Sequence, residues 1–248
     1  MFTPYEPPIE PLTGVWKEDK AKVIRLAEMP TKASRFLQHA HTVETLYNKG
    51  APEALTSKGF PQRKGLSREV HGELYPLARF AGLHYQGSDD VWISWKNGNQ
   101  SYDATVEDLR PGPQISSPYL EVTTLQDEED AERIKELNVA GEVGFFSHEL
   151  PEVADHRRRV RNLRGVLEKK SKIEYEPGTS LLVYTDEYRF RSSVWGGPSP
   201  RIDQPYDFGE VLEDLKQALV GFDAVFVFSK RAIYCRLSGG LVVLYDGD

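Results

Sequence analysis

The first third of the chain carries apolar residues at the spacing of amphipathic helices. This pattern predicts one helix over residues 16–28 and a second over 31–48. A third helix is predicted over 67–81, and Pro76 within it makes a kink or an early end the expectation. Residues 1–12 are interrupted by prolines and are predicted to be extended. The N-terminal part is therefore predicted to be a Pro-rich arm followed by helices.

Beyond residue 90 the pattern changes to short runs of apolar and β-branched residues. Three strands are predicted first, at 91–96, 100–107 and 119–125, with a hairpin turn at Asn97-Gly98. The remaining predicted elements are, in order, an acidic helix, a basic helix, a buried strand, a helix and three strands, at 127–137, 151–175, 180–185, 208–219, 224–228, 232–237 and 241–245. This order predicts a mixed α/β fold, with residues 1–65 as an N-terminal helical extension and residues 66–248 as the core.

The composition is that of an ordinary globular protein. The 248 residues are 39% hydrophobic and 28% charged, which argues against a disordered or fibrous protein. Cys235 is the single cysteine, so an internal disulfide framework and a multi-thiolate zinc site are excluded. No run approaches the roughly 18 apolar residues of a membrane span, and the first residues lack the basic start and apolar core of a secretory signal. We therefore expect a soluble cytoplasmic protein with no membrane partner.

The net charge of −7 conceals an uneven distribution. Residues 156–172 contain eight Lys or Arg residues and one acid, a local charge of +7, so the rest of the chain carries −14. Within the predicted basic helix, Val160, Leu163 and Leu167 form an apolar stripe, and the cations lie mostly around it. Such a basic segment on an acidic body is typical of a protein that contacts a polyanion.

Two acidic residues stand out because they occur within predicted strands. Asp103 falls inside the second strand, where aspartate is disfavoured, and Glu121 lies between aliphatic neighbours in the third. If these strands pair, the two carboxylates lie side by side and repel each other unless a cation sits between them. Paired carboxylate oxygens suit Mg²⁺ or Mn²⁺. A third carboxylate is expected from the preceding helix, at Glu73 or Glu69.

The order of these elements resembles the PD-(D/E)xK nuclease superfamily, which has the restriction-endonuclease-like fold. The resemblance rests on the helix with Glu73, the hairpin with Asp103, the strand with Glu121, and the basic helix with its following apolar strand. It covers residues 67–186, roughly half the chain. It implies a core sheet flanked by helices, in which Asp103 and Glu121 bind the metal and Glu73 assists. In the family, the residue two positions after the Glu is usually a Lys that positions the attacking water.

Two positions depart from the pattern of that family. Tyr102 stands where a Pro usually precedes the Asp, and Thr123 stands where the Lys is expected. Because Thr carries no charge, the cation that would stabilise charge in the transition state is missing at this position. The resemblance implies that Lys170 or Lys172, at the end of the basic helix, supplies it and completes a catalytic set that includes Thr123.

The activity implied by the resemblance is hydrolysis of DNA phosphodiester bonds with Mg²⁺ or Mn²⁺ as cofactor, and RNA is left open as a substrate. The basic helix is then expected to contact the sugar–phosphate backbone. The side chains expected to make these contacts are Arg157, Arg158, Arg161, Arg164 and Lys169. A homodimer or a larger protein assembly is left open as the working form.

Each of these signals also has a simpler interpretation. Asp103 can be an edge residue or a turn cap, Glu121 can pair with an arginine across the sheet, and Thr123 can be an ordinary strand residue. The cations of the basic helix can form a solvated face. The alternative function is therefore a catalytically inactive protein of this fold that acts as a nucleic-acid or protein binding module. A third interpretation, a small-molecule enzyme of unrelated α/β type, has no motif behind it.

Overall fold

A mixed eight-stranded sheet with helices on both faces is the framework of the protein. This arrangement confirms the predicted mixed α/β class. The computed structural model describes residues 10–51, 66–112, 116–125, 135–136, 139, 152–185 and 203–245. Within these ranges, no helix has the length and apolar character that crossing a bilayer requires.

The helices are α1 Trp16–Ala27, α2 Ala33–Gly50, α3 Leu66–Glu69, α4 Tyr75–His84, α5 Glu152–Lys170 and α6 Gln204–Leu215. A π-helical turn, Val70–Leu74, joins α3 to α4. The strands are β1 Thr31–Lys32, β2 Val91–Trp95, β3 Ala104–Asp108, β4 Tyr119–Thr124, β5 Thr179–Tyr184, β6 Ala224–Phe228, β7 Ile233–Ser238 and β8 Leu241–Leu244. The strands follow one another across the sheet in chain order. The central strands β4, β5 and β6 run parallel, and all other neighbours are antiparallel.

Two hydrophobic layers hold the helices against the sheet. On one face, α1, α2 and α4 pack through side chains such as Phe36 and Leu77. On the other face, α5 and α6 pack through side chains such as Leu163 and Phe208. Because side chains alternate along a strand, Glu121 of β4 lies on the α5 face, between two residues that belong to the opposite layer. The helices of the predicted N-terminal extension thus share a core with α4 and the sheet.

The hairpin formed by β2 and β3 differs from the prediction in two ways. Trp95 pairs with Ala104, so the connection spans the eight residues 96–103 and is not a two-residue turn at Asn97-Gly98. The placement of Asp103 inside the second strand is also wrong, because β3 begins one residue later. The physical reason is that the Asp103 carboxylate itself accepts the backbone N–H of Val122 at 2.7 Å, so the regular ladder ends there.

Two of the N-terminal helices begin or end away from their predicted bounds. The second helix starts only at Ala33, because Thr31 and Lys32 form a short strand against β2. The third continues to His84 and absorbs Pro76 without breaking. The π-helical turn makes this continuation possible, since it shifts the hydrogen-bonding pattern immediately before the proline, which has no N–H to donate.

Two helices of the core also differ in their bounds. The basic helix ends at Lys170, five residues before its predicted end. The helix predicted at 208–219 begins at Gln204, because Asp203 caps it by accepting the backbone N–H of Tyr206 at 3.1 Å. Most of the predicted acidic helix at 127–137 lies outside the described residues, as does the predicted arm up to residue 9.

Candidate active site

Two carboxylates lie close together where β3 begins beside β4, Asp103 immediately before β3 and Glu121 within β4. Ala104, the first residue of β3, pairs with Leu120, so Asp103 lies just before this pair and Glu121 just after it. The Asp103 N–H donates to the Leu120 carbonyl at 2.8 Å, which keeps the two chains paired at this point. The Asp103 carboxylate in turn accepts the N–H of Val122, the residue after Glu121, at 2.7 Å. The two carboxylates are therefore immediate neighbours.

The last residue of α5 reaches the same place. The Lys170 ammonium donates to Glu121 Oε1 at 2.5 Å, and the two side chains are only 22% and 12% exposed. Lys172 lies beyond the end of the helix, is exposed, and contacts no carboxylate of the described residues. Of the two lysines proposed to replace the missing cation, the fold therefore brings Lys170 to the carboxylate pair.

Glu73 approaches from the π-helical turn. Its Oε2 accepts a hydrogen bond from Trp95 Nε1 at 3.2 Å. The turn is attached to β4 because the Thr124 hydroxyl donates to the Gly72 carbonyl at 3.0 Å. Glu69 is half-buried one turn earlier and acts on Glu73 through its charge. The elements that carry Glu73 and Glu121 are thus connected directly.

Burial and mutual repulsion make these carboxylates reluctant to ionise. Burial raises the pKa of Asp103 well above its usual range, and the charges of Glu121 and Glu73 raise it further. Burial also raises the pKa of Glu121, although the bonded Lys170 ammonium opposes this shift. For Glu73, burial is again the largest cause and raises the pKa to about 7. If all three carboxyls ionised, the cluster would carry more negative charge than Lys170 compensates.

Lys170 and Tyr175 complete the polar surroundings of the pair. Burial lowers the pKa of Lys170, but the Glu121 carboxylate outweighs it and holds the pKa above its ordinary value. The pKa of Tyr175 is raised by burial and by the charges of Glu121 and Asp103, against the opposing charge of Lys170. The Tyr175 ring packs on Phe222 with ring centres 4.9 Å apart. The ammonium is therefore positively charged at neutral pH and lies beside a phenol that sequence patterns did not indicate.

The donor set fits a divalent cation held by two carboxylates. One oxygen of each is occupied, Asp103 Oδ2 by the Val122 N–H and Glu121 Oε1 by Lys170. The second oxygen of each accepts no hydrogen bond from the described residues. Within the described ranges, no three His, Cys, Asp or Glu side chains lie close enough together to hold a metal ion. Glu73 therefore does not complete a three-residue ligand set with Asp103 and Glu121. Mg²⁺ is commonly bound by one or two carboxylates with waters and substrate phosphates as further ligands.

Thr123 shares the face of Glu121 but adds no charge to the site. It is half-buried, pairs with Val183 of β5, and makes no hydrogen bond through its side chain to the described part of the chain. The positive charge beside Glu121 therefore comes from Lys170. Thr123 and Lys170 thus lie on two different elements, β4 and α5, and Lys170 is the one that contacts the Glu121 carboxylate.

The cations of α5 occupy three different surroundings. Arg159 is buried, 8% exposed, and donates to the Thr185 hydroxyl at 2.8 Å. Arg164 is partly exposed and pairs with Asp214 on α6. The exposed cations are Arg157, Arg161 and Lys169, and Arg158 is half-buried. The sequence therefore identified the basic segment, but the fold uses part of it internally.

Three contributors to the site had no recognisable sequence signal. Trp95 donates to Glu73, and Thr124 donates to the π-helical turn. Tyr175 lies beside Lys170, and its place in the chain matches no motif. Their contributions arise from contacts between elements distant in the chain. No protein-family model, curated protein or solved structure matches this chain. The geometry of Asp103, Glu121 and Lys170 is therefore the basis for assigning a function.

Proposed function

We propose that this protein is a metal-dependent nuclease of the PD-(D/E)xK type that hydrolyses DNA phosphodiester bonds. One observation carries the proposal: the Lys170 ammonium at the end of α5 bonds Glu121, and the Asp103 carboxylate accepts the N–H of the next residue, Val122. Two carboxylates can hold a metal ion, and a lysine beside them can stabilise negative charge on a phosphate. The parallel placement of β4 and β5, joined through α5, supports the same interpretation.

Each residue of the group has a task that follows from its chemistry. Asp103 and Glu121 would hold Mg²⁺ or Mn²⁺, which when bound polarises a phosphate and lowers the pKa of a water. Lys170 places a fixed positive charge where negative charge develops on the phosphate in the transition state. Glu73 remains protonated over part of the neutral range, because its pKa is about 7. It can therefore act as a hydrogen-bond donor or accept a proton near the pair.

The substrate is proposed to be DNA because exposed cations of α5 extend away from the carboxylate pair. Arg157, Arg161 and Lys169 are exposed on the helix that ends at Lys170. Cations in this position can neutralise phosphates and fix the register of a bound backbone without reading bases. An RNA backbone offers the same phosphates, so the assay includes both polymers.

The test is nicking of supercoiled plasmid by the purified protein with Mg²⁺ or Mn²⁺, run beside Asp103→Asn and Glu121→Gln. Both substitutions keep the shape and the oxygen acceptor but remove the charge that would bind a cation. Glu107→Gln, on the exposed side of β3, is the matched control. We expect nicking by the parent and by the control, and at least a hundredfold loss in the two site variants.

Two results would overturn this assignment. If the parent binds DNA but never nicks plasmid or cleaves single-stranded RNA with either metal, the protein is the inactive binding module. If cleavage survives in both site variants, the chemistry occurs elsewhere on the chain. EDTA should abolish the parent reaction, and excess Mn²⁺ should restore it.

A further inference from the structure

The opposite face of the sheet contains a polar cavity that the proposed nuclease site does not use. Its volume is about 70 Å³, and it lies between α4 and the points where β4, β5 and β6 begin. Phe80 of α4 and Phe226 of β6 form apolar walls, with ring centres 4.9 Å apart. Leu120, which lines the cavity, precedes Glu121, so the cavity and the carboxylate pair lie on opposite sides of the same strand.

Arg236 of β7 supplies a charge to this cavity that nothing in the described chain neutralises. It pairs with Phe226 in the sheet and lines the cavity beside it. Its Nε is buried, and the described residues offer it neither a hydrogen-bond partner nor an ion pair. A buried donor on a charged group that lacks a partner costs free energy that a bound acceptor would recover. The guanidinium geometry matches carboxylate and phosphate oxygens.

Serine hydroxyls line the same cavity. Ser117 and Ser180 are buried, and their hydroxyl oxygens lie 2.6 Å apart. Ser238, on the strand of Arg236, also lines it and donates to the Asp223 carbonyl at 3.3 Å. Hydroxyl hydrogens rotate freely, so these groups can turn to donate to an incoming oxyanion. The Asp223 carboxylate accepts from Ser117 at 3.4 Å, is exposed, and does not line the cavity.

Arg236 is the charged residue of the cavity lining, and the carboxylates of Asp108 and Asp223 act from outside the lining. Among the described residues, none that lines the cavity is acidic. His84 on its wall is stacked on Phe80 with ring centres 4.9 Å apart. Burial, followed by the charges of Arg110 and Arg236, lowers the pKa of His84 to about 4. The imidazole is therefore neutral at neutral pH, and Arg236 is the charge that a ligand meets.

We propose that this cavity is a binding site for a single tetrahedral oxyanion, a phosphate group held by Arg236 and the serine hydroxyls. A water needs roughly 10–15 Å³ of such a volume, so 70 Å³ accommodates about five heavy atoms, the number in phosphate. The phosphate can be inorganic or the terminal group of a mononucleotide. This site does not depend on the proposed nuclease activity, since it uses other residues on the other face of the sheet.

The test is isothermal titration calorimetry of the full chain with potassium phosphate, in EDTA and at constant ionic strength set with chloride. The parent is compared with Arg236→Gln, with Ser180→Ala, and with Arg25→Gln as a control, because Arg25 is a surface arginine of α1. We expect binding by the parent and the control, at least a tenfold loss in Arg236→Gln, and a smaller loss in Ser180→Ala. Adenosine 5′-monophosphate and adenosine are titrated next, to distinguish a free phosphate from a nucleotide terminus.

Folding of the variants is checked by thermal unfolding without phosphate. Arg236→Gln is expected to keep the parental melting temperature, since the Arg236 Nε has no hydrogen bond to the described residues to lose. A parent that shows no phosphate binding overturns the proposal, and so does a folded Arg236→Gln that binds phosphate as tightly as the parent. Because no divalent metal is present, neither result bears on plasmid nicking.

Discussion

Helix α5 carries basic side chains in two different surroundings. Its last residue is enclosed by the protein, whereas several cations in its earlier turns are exposed to solvent. Lys170 is enclosed and bonds Glu121, whereas Lys169, its neighbour in the chain, is exposed. Arg157 and Arg161 are exposed as well. A single run of positive charge thus contains one cation that belongs to a buried site and several that belong to the surface. Charge alone does not distinguish them, but the apolar stripe of the helix does, because it fixes which side chains turn inward.

Other cations of the same helix bond to neighbouring parts of the protein. Arg159 donates to Thr185 beside β5, and Arg164 pairs with Asp214 of α6. These contacts hold α5 against the sheet and against its neighbouring helix. The local charge of +7 therefore overstates the charge available to a nucleic acid. The predictions below separate the enclosed cation from the exposed and the internally paired ones.

The largest effect is expected from Lys170→Met compared with Lys169→Met. The two residues are adjacent, so the substitutions remove the same charge from the same helix turn. Loss of the enclosed ammonium should slow plasmid nicking by about 10²–10³-fold, because no other fixed charge replaces it in the transition state. Lys169→Met should nick within a few-fold of the parent. Equal rates for the two variants would show that Lys170 has no part in the chemistry.

The exposed group is tested by the double substitution Arg157→Gln with Arg161→Gln. If both side chains contact phosphates, DNA binding weakens for every sequence, and the slope of log K against log salt falls by up to about 2. Fluorescence anisotropy with a labelled duplex at several salt concentrations measures this slope. Lys17→Gln with Lys20→Gln, on exposed positions of α1, is the matched control. A slope identical to the parent's would remove α5 from the DNA interface.

The burial of Glu73 near the carboxylate pair should appear as a pH dependence of the free energy of unfolding. The pKa of Glu73 is about 7 in the folded protein, against an ordinary value of 4.5. Because the folded-state pKa is the higher one, this residue's contribution is fully present below pH 4.5 and is lost as the pH rises through 7. Glu73→Gln stays neutral and keeps an oxygen for Trp95, so it should not lose this contribution.

The measurement is urea unfolding of the EDTA-treated protein at pH 5 and pH 8. The free energy of unfolding of Glu73→Gln, taken relative to the parent, should rise by on the order of 1 kcal/mol from pH 5 to pH 8. This figure allows for solvent screening of a partly exposed group. Glu107→Gln, with its exposed side chain, should show no such change. A difference between Glu73→Gln and the parent that is the same at both pH values would contradict the buried setting of Glu73.

The smallest effect is expected from the internally paired arginine. Arg164 and Asp214 have side chains that are 42% and 59% exposed, and such pairs contribute about 0–1 kcal/mol. Arg164→Gln should therefore change the melting temperature little and DNA binding less than the Arg157/Arg161 pair does. Asp214→Asn frees the guanidinium and should strengthen DNA binding slightly. If Arg164→Gln weakens DNA binding as much as the double substitution of Arg157 and Arg161 does, Arg164 contacts the DNA.

The sequence predicted most elements of the fold because their signals are local. The apolar run of β5 and the stripe of α5 both follow from periodicity within one element. The errors occur where another element intervenes. Asp103 leaves the strand because its carboxylate takes the Val122 N–H, and the second helix loses its first two residues to a strand pair with β2.

The candidate site was predictable in its acids but not in its assembly. Asp103 and Glu121 drew attention because carboxylates are unusual in strands, whereas the choice between Lys170 and Lys172 depended on where α5 ends. That end is fixed by packing of the helix on the sheet, which a single sequence does not encode locally. Tyr175 and Trp95 were missed for the same reason, since each acts across a contact between distant elements.

The central claim is that Asp103 and Glu121 together hold a divalent cation beside Lys170. Calorimetric titration of the parent with Mn²⁺ tests it most directly, beside Asp103→Asn, Glu121→Gln and the Glu107→Gln control. The account predicts one Mn²⁺ per chain for the parent and the control, with binding weakened at least tenfold in each site variant. Absence of Mn²⁺ binding by the parent, or equal binding by all four proteins, would contradict it.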